Sequence, residues 1–154
     1  MKSISDLLGS HAFFEGLAPD AIDLISGCGQ NVHFEPDASI ISENDPADVF
    51  YVLRTGRAAI EIATPRQGQL TIETVGPGEV LGVSWLLPPY RWTFDVRAVE
   101  PTSAIALDAA CLRGKCDDDP AFGYEMYKRF AGLVRDRLQA TRLQLVDLYG
   151  NDAS

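Results

Sequence analysis

The 154-residue sequence has little positive charge and no long apolar run. Thirteen Lys and Arg residues stand against 22 Asp and Glu, a formal net charge of −9, so the field of the protein repels phosphate backbones and anionic lipid surfaces. No apolar stretch reaches the roughly 18 residues that a membrane helix needs, and polar residues interrupt the N-terminal apolar run before a signal peptide could form. We therefore predict a cytoplasmic protein that binds neither nucleic acid directly nor a membrane.

Histidine is scarce, which argues against common catalytic sites. The only two histidines are His11 and His33, and without a His-x-His pair on a strand a three-ligand metal site would have to recruit carboxylates. Ser84 and Ser103 have no nearby histidine in the sequence that would activate a hydroxyl nucleophile. The sequence therefore predicts a protein that is not an enzyme and holds no metal.

Cysteine is scarce as well. The three cysteines, Cys28, Cys111 and Cys116, form an odd set in a chain without a predicted export signal, and this predicts reduced thiols rather than a disulfide framework. Cys111 and Cys116 have C-x4-C spacing, but no second ligand pair follows them. A zinc site is not expected there.

The length predicts one domain, spanning 1–154. Residues 1–29 are predicted to form short N-terminal helices, 30–107 a β-roll, 108–149 C-terminal helices and 150–154 a flexible tail. Short segments of the β-roll alternate apolar and polar residues and are separated by turn residues, a pattern typical of a sandwich or barrel. The predicted strands are 32–34, 39–42, 49–54, 58–63, 70–75, 94–99 and 103–107.

After residue 107 the apolar residues again recur with the 3.6-residue period of a helix. Asp108 is predicted to cap a short helix ending near Gly114, and Asp119 followed by Pro120 starts a second helix that runs to Tyr149, about 45 Å at 1.5 Å per residue. Apolar residues three and four apart form a heptad seam on its second half: Tyr127, Ala131, Val134, Leu138, Thr141, Leu145 and Leu148. The seam predicts a homodimer through this helix; the alternative is a helix lying wholly on its own domain.

Two motifs and the order of the elements point to a family. Residues 44–56, NDPADVFYVLRTG, join a turn, a strand and a second turn, and residues 75–82, VGPGEVLG, place glycines where a phosphate can approach the backbone. Together they resemble the effector domain of catabolite-activator and fumarate-nitrate-type regulators, which share a cyclic-nucleotide-binding fold. The resemblance implies a mainly β fold with α elements: a double-stranded β-helix, or jelly roll, with short N-terminal helices and a long C-terminal dimerisation helix.

The resemblance also implies a phosphate-binding cassette and names its residues. Val83 stands where the family has a glutamate for the ribose hydroxyl, and Trp92 stands where it has the arginine that clamps the phosphate. Because valine accepts no hydrogen bond, and each lost charge-assisted bond costs about 1.5–3 kcal/mol, losing both should weaken cyclic AMP binding by about 10²–10⁴-fold. The candidate binding residues are Gly78, Glu79, Gly82, Val83, Ser84, Arg91, Trp92, Thr93 and Thr141.

We therefore predict a non-catalytic regulatory or accessory subunit with a degenerate cassette, acting by dimerisation and by docking on a larger protein. No ligand is certain; cyclic AMP, cyclic GMP or NAD(P)H are candidates. The dinucleotide is implied by a resemblance to small accessory subunits of NAD-reducing hydrogenases. The alternative is a genuine cyclic AMP or cyclic GMP receptor using Arg91, Thr93 and Thr141. Because no helix-turn-helix follows Tyr149 in this sequence, we expect no DNA-binding domain.

Overall fold

The computed structural model of the protein describes residues 3–152, with the side chains of 3–150. These residues fall into two compact units, one ending at Lys115 and the other beginning at Cys116. The first unit contains the N-terminal helices, all the strands and most of a helix that follows them. The second consists almost entirely of one long helix.

Three short helical elements open the first unit. Helix α1 is Ile4–Gly9, a 3₁₀ helix spans Ala12–Phe14, and helix α2 is Pro19–Ser26. Ser3 starts α1 through a capping box, in which its hydroxyl accepts from the backbone N–H of Asp6 and the carboxylate of Asp6 accepts from the N–H of Ser3. Pro19 opens α2. A proline is favoured at the first position of a helix because the N–H that it lacks would have no partner within the helix there. The short N-terminal helices predicted within 1–29 are thus two α-helices with a 3₁₀ helix between them.

Seven strands form two antiparallel sheets. One sheet has the order β1-β7-β3 and the other the order β2-β6-β4-β5. The strands are β1 Gly29–Phe34, β2 Ser39–Ile41, β3 Val49–Thr55, β4 Ala58–Thr64, β5 Gly68–Val75, β6 Asp95–Ala98 and β7 Thr102–Asp108. All seven predicted strands are present, although β1 begins three residues earlier than predicted. The jelly roll and the mainly β class are confirmed.

Burial along the strands follows their place in the sheets. Strand β7 lies between β1 and β3, and its residues from Ala104 to Leu107 are all buried. Strand β5 is at the edge of its sheet, and its Leu70 and Ile72 are 44% and 41% exposed. Because consecutive residues of a strand point to opposite faces, the four buried residues show that both faces of β7 are covered, and its sequence is nearly continuously apolar there.

The disulfide corrects the prediction of reduced thiols. Cys28 and Cys111 are bonded, with their Cα atoms 5.8 Å apart, whereas Cys116 is free and buried. The antiparallel register of β1 and β7 pairs Gly29 with Leu107, so the residues just outside these strand ends meet. The two bonded cysteines are 83 residues apart in the sequence, and their spacing alone carried no sign of this pairing.

Two helices follow β7. Helix α3 is Ala109–Asp118 and α4 is Pro120–Asp152. Asp108 caps α3 by accepting from the N–H of Cys111 at 2.9 Å, but the helix continues past Gly114, where it was predicted to end. Asp119 caps α4, as predicted, by accepting from the N–H of Phe122 at 3.2 Å. Within the predicted flexible tail 150–154, residues 150–152 are helical, which corrects that prediction, and 153–154 lie outside the described residues.

Helix α4 changes character along its 33 residues. Phe122, Met126 and Phe130 form a buried row at four-residue spacing in its first half. Its second half is exposed, including the apolar residues of the predicted seam, of which Val134 and Leu138 are 45% and 48% exposed. Within residues 3–152, no helix combines the length and apolar character needed to cross a membrane.

His11 anchors the N-terminal segment to β3. The residue is only 7% exposed; its Nδ1 accepts from the backbone N–H of Phe13 at 3.2 Å, and its Nε2 lies 2.9 Å from the carbonyl oxygen of Leu53. Because Nδ1 accepts, the ring proton is on Nε2 and is donated to that carbonyl. Burial lowers the pKa of His11, and the hydrogen bond to Leu53 opposes this in part. The ring is therefore neutral in the folded protein near pH 7.

We predict that this histidine makes the folded protein less stable in mild acid. The unfolded ring titrates near pH 6.5 and the folded ring at a lower pH, so below pH 6.5 the unfolded state takes up the proton first. The stabilising contribution is complete above pH 6.5 and is lost as the pH falls through the folded pKa. Urea unfolding at several pH values should show this loss as the pH falls below about 6.5, and His11→Gln should flatten it.

His33→Gln removes the other histidine of the sequence and is the comparison variant for this measurement. It should retain the loss of stability that His11 causes. The same slope in the parent and in His11→Gln would contradict the assignment.

Candidate functional site

The segment 78–93, called the cassette below, is anchored to β3 at its start. The N–H of Gly78 donates to the carbonyl of Leu53 at 3.1 Å, and the N–H of Leu53 donates to the carbonyl of Glu79 at 2.9 Å. The N–H of Leu81 continues the pattern with Tyr51 at 3.0 Å. These bonds fix the backbone of the first cassette residues as an additional partner of β3.

Beyond Gly82 the chain forms turns rather than a helix. The N–H of Leu86 donates to the carbonyl of Val83 at 3.1 Å, and the N–H of Tyr90 donates to the carbonyl of Leu87 at 3.0 Å. The resemblance implies a short helix here whose N-terminal amides would face a phosphate, and residues 83–93 contain none. The site therefore lacks the helix N-terminus that favours anion binding.

Trp92 fills the space beside Gly82. Its side chain is buried, and a Cβ at Gly82 would lie 2.7 Å from its ring and 3.1 Å from the ring of Phe94. Gly82 also has a φ of +81°, a conformation that side chains disfavour. Glycine is thus required here for the approach of an aromatic ring, in the place where the resemblance implies the approach of a phosphate.

The side chain of Arg91 is bound to the turn between β2 and β3, where its Nη1 donates to the carbonyl oxygen of Asn44 at 2.8 Å. The backbone of the next residue is bound to the same turn: the N–H of Asn44 donates to the carbonyl of Trp92 at 2.8 Å, and the N–H of Trp92 donates to that of Asp45 at 3.0 Å. The position of Arg91 is therefore set by strand-like pairing, which directs its side chain to the surface.

The loop between Gly82 and Trp92 is packed onto the core at its centre. Trp85 is fully buried and stacks on Phe50 of β3, with ring centroids 4.3 Å apart and planes 5° from parallel. Arg113 of α3 donates to the carbonyl of Trp85 at 2.6 Å and lies over the ring of Tyr90, 4.3 Å from its centroid. The Phe50 stack and the two contacts of Arg113 thus hold the loop closed over its own aromatic side chains.

The remaining predicted site residues do not form a shared ligand-binding group. The carboxylate of Glu79 accepts from the N–H of Gly76 at 2.6 Å, within its own turn. Val83 and Ser84 are half-buried, and Thr93 is exposed. Thr141 belongs to the second unit, where its hydroxyl donates to the carbonyl of Arg137 at 2.9 Å. Among the candidate residues of the first unit, close side-chain packing is seen between Trp92 and Gly82.

A cavity of about 440 Å³ borders the start of the cassette. Its lining includes Gly78 and Pro77, together with His11 of the N-terminal segment and Arg54 of β3.

In the part of the chain with described side chains, no group of three or more His, Cys, Asp or Glu residues is gathered closely enough to hold a metal ion.

Comparison with known proteins identifies the family. Residues 31–119 match the family model described as the cyclic nucleotide-binding domain, which is more than half of the chain. The chain belongs to the cyclic nucleotide-binding domain family. The predicted resemblance is confirmed, and the cassette lies inside the matched residues.

Relatives of this cyclic nucleotide-binding domain include regulators and a kinase. It is 26% identical over 151 residues to a CRP-like cAMP-activated global transcriptional regulator of Mycobacterium tuberculosis, covering 97% of this chain and 65% of that protein. It is 24% identical over 136 residues to a cGMP-dependent protein kinase of Eimeria tenella, covering 88% of this chain and 12% of the kinase. The chain thus spans less than two thirds of the regulator.

Solved structures show the same fold. A cyclic nucleotide-binding protein from Geobacter metallireducens superposes with a TM-score of 0.78 at 28% identity, covering 90% of this chain and 99% of that one. The catabolite activator protein of Thermus thermophilus superposes with a TM-score of 0.70 at 24% identity, covering 90% of this chain and 63% of that one.

Sequence reasoning missed the residues that hold the cassette closed. Arg113 has no predicted role, although it contacts the loop at Trp85 and at Tyr90. Phe50 is predicted only as part of a strand. The one available signal was composition, since both tryptophans of the sequence lie in the cassette. Nothing in the sequence linked them to Phe50 or Arg113, because those contacts join residues far apart in the chain.

Proposed function

We propose that this domain is a non-catalytic regulatory module whose cassette is filled by its own side chains and which acts through contacts with other proteins. The observation that supports the proposal is the packing of Trp92 against Gly82, with Arg91 directed to Asn44. A phosphate approaching Gly82 would meet aromatic carbon instead of a guanidinium. We further propose that the protein works in the cytoplasm and docks on a larger protein.

The energies favour a filled cassette over a bound nucleotide. Without a glutamate at Val83 and an arginine at Trp92, a ligand forgoes two charge-assisted contacts of about 1.5–3 kcal/mol each. It would also have to displace the buried Trp92 ring; an aromatic side chain buries about 150–250 Å², worth about 4–6 kcal/mol at about 25 cal/mol per Å². The free energy needed to displace Trp92 thus adds to the binding free energy lost with the two missing contacts.

Calorimetric titration with cyclic AMP and cyclic GMP tests this proposal. If a micromolar receptor loses about 10²–10⁴-fold in affinity, no saturable heat should appear below about 0.1 mM ligand. Micromolar binding of either nucleotide would overturn the filled cassette and favour the second candidate function.

The second candidate is a cyclic AMP or cyclic GMP receptor with an altered cassette. The family match and the cAMP-activated and cGMP-dependent relatives favour this function. The guanidinium of Arg91, which is exposed within the loop, favours it as well. In this case Arg91→Ala should abolish binding, while Arg66→Ala, in the turn between β4 and β5, should not. The dinucleotide ligand and the hydrogenase link stay predictions from the sequence and are outside this proposal.

We also propose that two copies of the chain associate through α4. Val134, Leu138, Leu145 and Leu148 are between 45% and 58% exposed and recur at heptad spacing. A row of exposed apolar side chains along one helix is what a coiled-coil partner covers.

Val134→Glu combined with Leu138→Glu is predicted to give a monomer. Two carboxylates in each copy would have to be buried in the seam without partners, which costs far more than the seam gains. Sedimentation velocity measures the change. Gln139→Glu with Ala140→Glu adds the same charges on the opposite side of the helix and should leave a dimer; an unchanged dimer in the first variant would place the interface elsewhere.

A further inference from the structure

The Cys28–Cys111 disulfide borders an open cavity. The cavity measures about 320 Å³ and is lined by both cysteines together with Gly27, Gln30 and Asp108. Cys111 is half-buried, whereas Cys28 is only 8% exposed. A small thiol can therefore reach this bond from solvent at Cys111, and access is one of the conditions that decide whether a disulfide exchanges with external thiols.

The surroundings of the two sulfurs favour departure as thiolate. Cys111 lies in the first turn of the ten-residue helix α3, where backbone N–H groups stabilise negative charge, although the carboxylate of Asp108 also binds its backbone N–H. One helical turn further, Lys115 holds its ammonium group 2.7 Å from the position that a Cβ on Gly27 would take. A positive charge is thus placed next to the segment carrying Cys28.

Helix α3 has other attachments to the first unit that remain when the bond is broken. The N–H of Asp108 donates to the carbonyl of Cys28 at 2.9 Å, and the N–H of Ala109 donates to that of Asp48 at 2.8 Å. The ammonium of Lys115 donates to the carbonyl of Leu24 at 2.6 Å, and Leu112 is fully buried. The reduced chain therefore has a folded state in which both thiols persist.

The bond also fixes the helix that holds the cassette loop. Arg113, two residues after Cys111, makes both contacts to the loop, at Trp85 and at Tyr90. Tyr90 has a φ of +56°, a strained conformation for an aromatic residue that persists only where its surroundings enforce it. When the first turn of α3 loosens, Arg113 holds Tyr90 less firmly in this conformation.

We propose that Cys28 and Cys111 form a thiol–disulfide exchange site for a low-molecular-weight thiol, and that its redox state controls how tightly Arg113 holds the cassette loop. A thiolate attacks the Sγ of Cys111, the S–S bond breaks, and Cys28 leaves as a thiolate. A second thiolate attacks the small-molecule sulfur of the mixed disulfide, which releases Cys111 and forms the oxidised small molecule. Two electrons pass from the two small thiols to the protein disulfide.

The test is titration of the folded, full-length chain with reduced glutathione as the probe. Free thiols are trapped at each step with a maleimide, and the labelled protein is denatured, labelled again and weighed intact. Untreated protein should give one thiol, Cys116, and treated protein all three. Circular dichroism should stay that of the folded chain, and oxidised glutathione should restore the bond. Because both tryptophans lie in the cassette, tryptophan fluorescence should change in step with thiol release.

Variants separate the two parts of the proposal. With oxidised glutathione, Cys28→Ser should accumulate a stable mixed disulfide at Cys111 and release one reduced glutathione, whereas Cys116→Ser should behave as the parent does. Arg113→Ala should release the same thiols without the fluorescence change that follows them in the parent. Reduction that occurs only after unfolding, or a chain with three free thiols in oxidised glutathione, overturns the exchange site. Thiol release with constant fluorescence in the parent overturns its link to the loop.

Discussion

Val83→Glu combined with Trp92→Arg is expected to raise the affinity of the domain for cyclic AMP by about 10²–10⁴-fold. The first change places a carboxylate at the position that the resemblance predicts to bind the ribose hydroxyl. The second removes the ring that lies 2.7 Å from the Cβ position of Gly82 and supplies a guanidinium for the phosphate. Calorimetry measures the change, and each single variant should give a smaller part of it.

The control for this pair adds the same charges at exposed positions. Leu87→Glu and Gln67→Arg place a carboxylate and a guanidinium at exposed positions and should leave affinity unchanged. A double variant at 83 and 92 that unfolds cooperatively in urea, yet binds cyclic AMP no better than the parent, would contradict the assigned positions.

Trp85→Ala is expected to lower the free energy of unfolding by about 3–5 kcal/mol. The side chain is fully buried and stacked on Phe50, so its removal loses transfer energy, the ring contact and the packing of the loop onto β3. Because small domains are stable by only about 5–15 kcal/mol, the loss would be plain in urea unfolding.

Leu87→Ala supplies the comparison within the same loop. Leu87 is 64% exposed, and its truncation should change the unfolding free energy by no more than about 0.5 kcal/mol. A loss below about 1 kcal/mol in Trp85→Ala would mean that the loop is not part of the core and that the cassette opens easily.

The strands and helices could be predicted because their signals are local. Alternation in β4 and β5 and turn residues such as Gly76 and Gly78 act within a few positions, so each strand could be placed to within three residues. The end of α3 could not, because a single glycine costs a helix only about 1 kcal/mol. Asp118, next to the capping residue of α4, is where the helix ends instead.

The site was only partly predictable, since its decisive contacts join distant residues. The assignment of Val83 and Trp92 to the family's glutamate and arginine positions rests on motif spacing and stays a prediction. The direction of Arg91 could not be predicted, because it depends on pairing of the loop with Asn44 in another turn. The disulfide between Cys28 and Cys111 likewise depends on the pairing of β1 with β7, which are neighbours in the sheet but are the first and last strands in the sequence.

The most direct test of the filled cassette is to follow the indole N–H signals of the parent protein by NMR while cyclic AMP is added. The sequence contains two tryptophans, both in the cassette, and Trp92→Phe assigns the two signals. With Trp92 packed against Gly82, neither signal should move as the nucleotide reaches about 0.1 mM. A saturable shift of the Trp92 signal at micromolar cyclic AMP would show that the nucleotide enters the cassette and would contradict the account.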